Sequence, residues 1–158
     1  MKSVLLLFPL LIAAVRATGE TPLRQAANGS RVRFLGLRRF DNPVVVGMEK
    51  NGNKTTLRRK TAGGAGGYEP GKIAADESKT LGRQAWLEYM ARLQKAGCRQ
   101  MDTTDKGLMG FDGSQWIPGV NPNGQYLVID RWRGCGIREL CLPLFRLTGM
   151  EIPGNDIY

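Results

Sequence analysis

The chain contains no histidine among its 158 residues. That absence removes the imidazole base, and with it the Ser-His-Asp and Cys-His routes to an activated nucleophile. It also removes every metal site built on imidazole. Cysteine is scarce as well: Cys98, Cys135 and Cys141 are the three present, with no C-x-x-C spacing among them. A zinc site is therefore not expected, and the sequence implies neither a metal nor an organic cofactor. Long apolar runs are missing apart from Val4 to Val15. Lys2 ahead of that run and the small-residue pattern Val15-Arg16-Ala17 after it give residues 1–17 the form of a secretory signal peptide. A run of about a dozen residues is too short to span a bilayer core of about 30 Å as a helix. Export to the periplasm or beyond is predicted, with cleavage near Ala17 and no transmembrane anchor in the mature chain.

What is abundant is positive charge. The net charge of +9 becomes +7 once Lys2 and Arg16 leave with the signal peptide. The excess lies between Arg24 and Lys60, where Asp41 and Glu49 are the only acids; residues 61–158 balance. Arg31, Arg33, Arg38, Arg39, Arg58, Arg59 and Lys60 are the candidates for meeting an anionic surface such as lipid headgroups or polysaccharide.

In an oxidising compartment three cysteines permit one internal pair among Cys98, Cys135 and Cys141. Placed in one helix, Cys135 and Cys141 would stand about 9 Å apart along its axis, beyond the reach of about 7 Å between the Cα atoms of a disulfide. A bridge thus requires Cys135 to lie in the preceding loop or Cys98 to take part; three buried thiols are the alternative.

Residues 18–30 are polar and turn-rich, a loosely ordered lead-in, and residues 31–158 form one domain. Arg31 to Leu37 begins with charged and apolar residues in alternation, the period of a half-buried strand. Val44 to Met48 is β-branched and follows Asn42-Pro43. Asn51-Gly52-Asn53 is a hairpin signal, and Lys54 to Lys60 is the returning strand. These three form an antiparallel meander with basic side chains outward. The glycine-rich Ala62 to Gly67 lacks the Gly-Lys-Ser/Thr ending of a phosphate loop, and Pro70-Gly71 intervenes before any helix. It reads as a turn that needs glycine for its backbone.

A helix is predicted from about Gly82 to Ala96, with Trp86, Tyr89, Met90 and Leu93 on one face and Gly97 at its C-terminal stop. Ser114 to Ile117 is a short strand, Pro118 to Gly124 a turn cluster, and Gln125 to Trp132 a returning strand. That strand carries Leu127, Ile129 and Arg131 on one face and Tyr126, Val128, Asp130 and Trp132 on the other. Its largely apolar faces suggest a central position. Ile137 to Leu147 is helical in pattern, and Pro143 predicts a kink or two short pieces. The sum is an α+β fold: an antiparallel sheet of about five strands, one main helix and a kinked C-terminal helix. Tyr68, Asp112, Asp130 and Arg131 are candidate binding residues if they converge.

Phe40-Asp-Asn-Pro43, Gly66-Gly-Tyr-Glu-Pro-Gly-Lys72, Trp86, Asp112-Gly-Ser-Gln-Trp116, Gly124-Gln-Tyr126 and Asp130-Arg-Trp132, in this order, resemble a family of small exported bacterial proteins with no assigned activity. The resemblance covers nearly the whole mature chain and implies a bacterial setting and an intact domain, but no chemistry. The family often has an aromatic pair where Cys98 and Arg99 stand here, and often a histidine in place of Leu127.

Three classes of function remain. The leading expectation is a non-catalytic exported domain, binding or structural, in the bacterial envelope. A basic module docking on anionic surfaces is the second, and a hydrolase using Asp112, Asp130 or Glu69 the third. Nucleic-acid reading is not expected of an exported chain without an aromatic-basic motif, and no other partner is indicated.

Overall fold

Alternation along three consecutive strands builds the centre of the molecule. In β1 (Ser30–Leu37) Val32 and Phe34 face one side, while Arg31, Arg33 and Leu35 face the other. In β2 (Val44–Asn51) Val44, Val46 and Met48 continue the apolar side, and in β3 (Lys54–Ala62) Leu57 does so. The hairpin between β2 and β3 turns through Gly52, whose φ of 58° is the left-handed conformation such turns require. These elements come from a computed structural model that describes residues 30–37, 42–64, 71–102, 115–121, 127–129, 131–132 and 137–150.

Beyond β3 the chain adds β4 (Ile73–Leu81), and on the far side of β1 it adds β5 (Gln115–Asn121). Two short pieces, β6 (Leu127–Val128) and β7 (Arg131–Trp132), both pair with β5. The described strands thus form one antiparallel sheet in the order β4-β3-β2-β1-β5-β6, with β7 also on β5. The fold is α+β, as the sequence predicts. The sheet gains a strand the sequence did not announce, β4, and its last expected strand is divided.

That division has a local cause. β6 and β7 keep one common register against β5, in which Pro118 stands opposite Ile129. Proline offers no N–H to the ladder, and the pairing lapses there. Pro118-Gly119 therefore lies inside β5 rather than in a turn. The expectation of a central strand over Gln125 to Trp132 is corrected too: its two pieces line the rim of the sheet. The face assignment agrees, since Ile129 is fully buried in the core and Leu127 packs against it.

Helix α1 (Arg83–Lys95) has no β-branched residue, and it buries Trp86, Tyr89 and Leu93 against the apolar face of the sheet. It ends at Gly97, where φ reaches 64°. A single 3-10 turn (Cys98–Gln100) follows. Helix α2 (Arg138–Leu147) contributes Leu140, Cys141, Leu144 and Phe145 to the same core. Pro143 lies within this one helix and does not split it into two pieces. The bond it deletes would have ended on the carbonyl of Glu139, in the helix's first turn. At the centre, Phe34 meets the ring of Trp116 at 5.2 Å and that of Phe145 edge-on at 5.0 Å. Neither described helix is long and apolar enough to cross a membrane.

Candidate functional site

With both helices on one side, the other side of β1 to β4 carries the charge. The strand registers place Arg33, Gly47, Arg58 and Ser78 in one row across the four strands. On either side of it run the row Arg31, Glu49, Thr56, Thr80 and the row Leu35, Val45, Lys60, Asp76. These rows bound a groove of about 220 Å³ with Gly47 in its floor. Arg33 and Lys60 are largely enclosed, at 8 % and 5 % exposure. Lys54 continues the face toward the hairpin, outside the groove.

Two carboxylates organise these cations. Arg31 donates to Glu49, its cross-strand neighbour, at 2.6 Å. Arg58 grips Asp76 with both arms of its fork, Nε donating to Oδ1 at 2.7 Å and Nη2 to Oδ2 at 2.5 Å. The Lys60 ammonium stands 3.7 Å from the same carboxylate. Those Arg58 hydrogen bonds come first in holding the Asp76 carboxyl below its ordinary range, with the charges of Arg58 and Lys60 assisting. An aspartate held ionised in this way cannot donate a proton near neutrality. Arg31, Arg33, Arg58, Lys60 and Glu49 line the groove, and Asp76 grips Arg58 from its edge.

The sequence candidates divide on inspection. Arg31, Arg33, Arg58 and Lys60 come together. Arg59 does not: it shares the helix-side face with Leu57, and its Nη2 donates to Glu77 at 2.7 Å. Arg38 and Arg39 lie outside the described residues, as do Tyr68, Asp112, Asp130 and Cys135. Arg131 is buried on the helix side and donates from Nη2 to the carbonyl of Asp102 at 2.6 Å. It anchors a chain segment and takes no part in the groove.

Sequence reasoning passed over Glu49, Asp76 and Gly47. Gly47 did leave a signal, being a glycine inside a β-branched strand. The glycine-rich turn serves the backbone: Gly63 N–H donates to the Lys72 carbonyl at 2.8 Å, and a Cβ on Gly71 would fall 2.6 Å from Gly64 N. Among the described residues it joins β3 to β4, with no helix N-terminus between them to complete a phosphate loop.

Inside the core sits a second group of titratable side chains. Tyr89 donates its hydroxyl to the Leu140 carbonyl at 3.0 Å. Burial raises its pKa well above the ordinary value, and nearby Cys141 and Cys98 add to the effect. Burial likewise raises Cys98, and it raises Cys141 further, with Cys98 as neighbour. Both are free, protonated thiols, the wrong state for a nucleophile or a metal ligand. No group of side chains suited to holding a metal ion occurs among the described residues.

What the fold and site define is an α+β domain with a closed apolar face and a cationic, grooved one. No protein-family model, no curated protein and no solved structure matches the chain.

Proposed function

We propose that this chain is a non-catalytic exported domain of the bacterial envelope that holds anionic groups in the groove on the charged face of its sheet. One observation carries the reading: Arg31, Arg33, Arg58 and Lys60 all line a single groove. Fixed cations on a rigid sheet attract anions at long range and hold them by charge-assisted hydrogen bonds. Glu49 in the groove and Asp76 beside it are both engaged in ion pairs, which suits binding better than acid–base catalysis. Export rests on the signal-peptide pattern of residues 1–17, and the bacterial setting on the family resemblance.

The test compares two double variants of equal charge change. Arg33→Gln/Arg58→Gln alters the groove, and Arg83→Gln/Arg92→Gln alters exposed cations of α1. Binding of the mature chain to an anionic polysaccharide is measured against salt. The reading expects affinity to fall steeply with salt and to be lost in the groove variant alone. Equal losses in both variants, in proteins that melt normally, would mean that net charge alone governs the attraction, and the proposal would fail.

A further inference from the structure

The sheet ends at β4, and no described strand pairs with its outer edge. Seven of its nine residues are exposed, and Ala75 and Leu81 are half-buried. The alternation of the ladder fixes which backbone groups face outward. Asn51 and Lys54 are partners across the two-residue turn of the β2–β3 hairpin, which makes them a hydrogen-bonded pair. Lys54, Thr56, Arg58 and Lys60 then bond toward β2, and Thr55, Leu57, Arg59 and Thr61 toward β4. The Ala62 N–H, donating to the Pro43 carbonyl at 2.9 Å, closes the ladder in the same phase. On β4 the partners of those four residues are Leu81, Lys79, Glu77 and Ala75. The N–H and C=O groups of Asp76, Ser78 and Thr80 therefore point away from the sheet. Such a row is a template for another strand. No proline interrupts it, and its one irregularity lies opposite Thr61 and Ala62, clear of Asp76 to Leu81.

We infer that β4 is the interface of a homodimer, in which two copies pair antiparallel across a two-fold axis at Ser78. A two-fold that joins copies of one edge antiparallel stands perpendicular to the sheet, so residues of like parity meet and the axis passes through a residue. Charge chooses which residue. Centred on Asp76, Glu77 or Lys79, the pairing sets that charge against its own copy, which is unfavourable. Centred on Ala75 or Thr80, it leaves much of the strand unpaired. Centred on Ser78, it sets Glu77 opposite the partner's Lys79, and symmetry repeats the pair. These residues occupy the non-hydrogen-bonded positions, where side chains approach most closely. Glu77 accepts from Arg59 at Oε2, and its side chain is 59 % exposed, which leaves the second oxygen open to an ammonium. Lys79 takes part in no ion pair among the described residues. In the same register Ser78 exchanges two backbone bonds with its copy, as does Asp76 with the partner's Thr80. Charge on an edge strand commonly repels other strands; this pattern repels in the wrong registers and attracts in one. The pairing consumes the edge of both copies, so assembly stops at two. The axis also turns both charged faces the same way and offers two grooves to one polyanion. That consequence rests on the anion-binding reading; the dimer does not.

The test is sedimentation equilibrium of the mature chain over a concentration series, with melting followed for every variant. Wild type is expected to dimerise reversibly. Lys79→Glu sets an acid opposite Glu77 at both symmetry-related pairs and should weaken association about tenfold or more. Exchanging the charges, as Glu77→Lys/Lys79→Glu, should restore it. Ser78→Pro removes an outward N–H and should give a folded monomer, because an edge strand accepts proline on its open side. Lys95→Glu, at an exposed position of α1, makes the same charge change away from the edge and should leave the dimer intact. A chain that stays monomeric at every concentration, or one that assembles beyond two, would overturn the inference. So would a dimer indifferent to Ser78→Pro, or one that Lys79→Glu weakens no more than Lys95→Glu does. Any of these results leaves the anion-binding reading standing, since the groove variants test that separately.

Discussion

The two faces of one sheet, built from alternate residues of the same strands, obey different physics. On the helix side, Val32, Phe34, Val46, Met48 and Leu57 are almost completely buried against α1 and α2. On the other side, one residue away in each strand, stand Arg31, Arg33, Glu49, Arg58 and Lys60. The first face is held by removal of apolar area from water, which depends on contact and ignores salt. The second carries ion pairs partly open to water, which contribute little to folding. Stability and recognition are thus allotted to opposite sides of a layer one strand thick. Leu35 and Val45 blur the boundary, since both are buried on the charged side and carry some apolar burial across.

The widest gap between the faces should appear on truncating Phe34. It touches both Trp116 and Phe145, so Phe34→Ala is expected to cost about 3–5 kcal/mol in denaturant unfolding. A loss under about 1 kcal/mol would show that the covered face is not the main source of stability. Next comes Tyr89→Phe, which removes the hydrogen bond to Leu140 and should cost about 1 kcal/mol.

The same region should make the protein sensitive to alkali. Tyr89, Cys98 and Cys141 all have raised folded pKa values, so their contribution is complete below the unfolded values. It is lost as pH climbs past the unfolded thiol range and through the folded values. Melting temperature should therefore fall above pH 9.0, the ordinary thiol value. A flat profile to high pH would contradict the buried cluster.

The smallest effect belongs to the charged face. Arg58→Gln should cost at most about 1 kcal/mol at neutral pH, because the pair is partly exposed. Its signature is at acid pH. Asp76 has a lowered folded pKa, so its contribution is present above the ordinary aspartate value and lost as pH falls through the lowered one. Removing Arg58 should flatten that acid limb of the melting curve.

How much of this was legible in sequence follows the same division. β1, β2, β3 and α1 could be read because burial leaves a period: two in Val32 and Phe34, nearer four in Trp86, Tyr89 and Leu93. β4 left no such trace. Ile-Ala-Ala-Asp-Glu-Ser-Lys-Thr-Leu is exposed through most of its length, so nothing selects an apolar rhythm. Its order comes from pairing with β3 and from the ion pairs of Arg58 with Asp76 and Arg59 with Glu77, which are tertiary facts. Leu57 marks the buried face of β3, and parity alone puts Arg59 with it and Arg58 and Lys60 against it. Gly47 could be seen as an anomaly, but its meaning required knowing which arginines flank it. The pairing of Asp76 with Arg58 has no sequence signal, because it depends on β4, which leaves none.

The strand order also sets a schedule for assembly. β1 to β4 are joined by neighbouring pairings and can form soon after they are made, whereas Gly36 meets Trp116 eighty positions away. Contacts of such separation form late, because the loop-closure entropy must be met before they return anything. Until β5 arrives, β1 is an unpaired rim bearing Val32 and Phe34, the kind of surface on which half-made chains adhere to one another. Docking of Trp116 beside Phe34 is the contact that covers this rim.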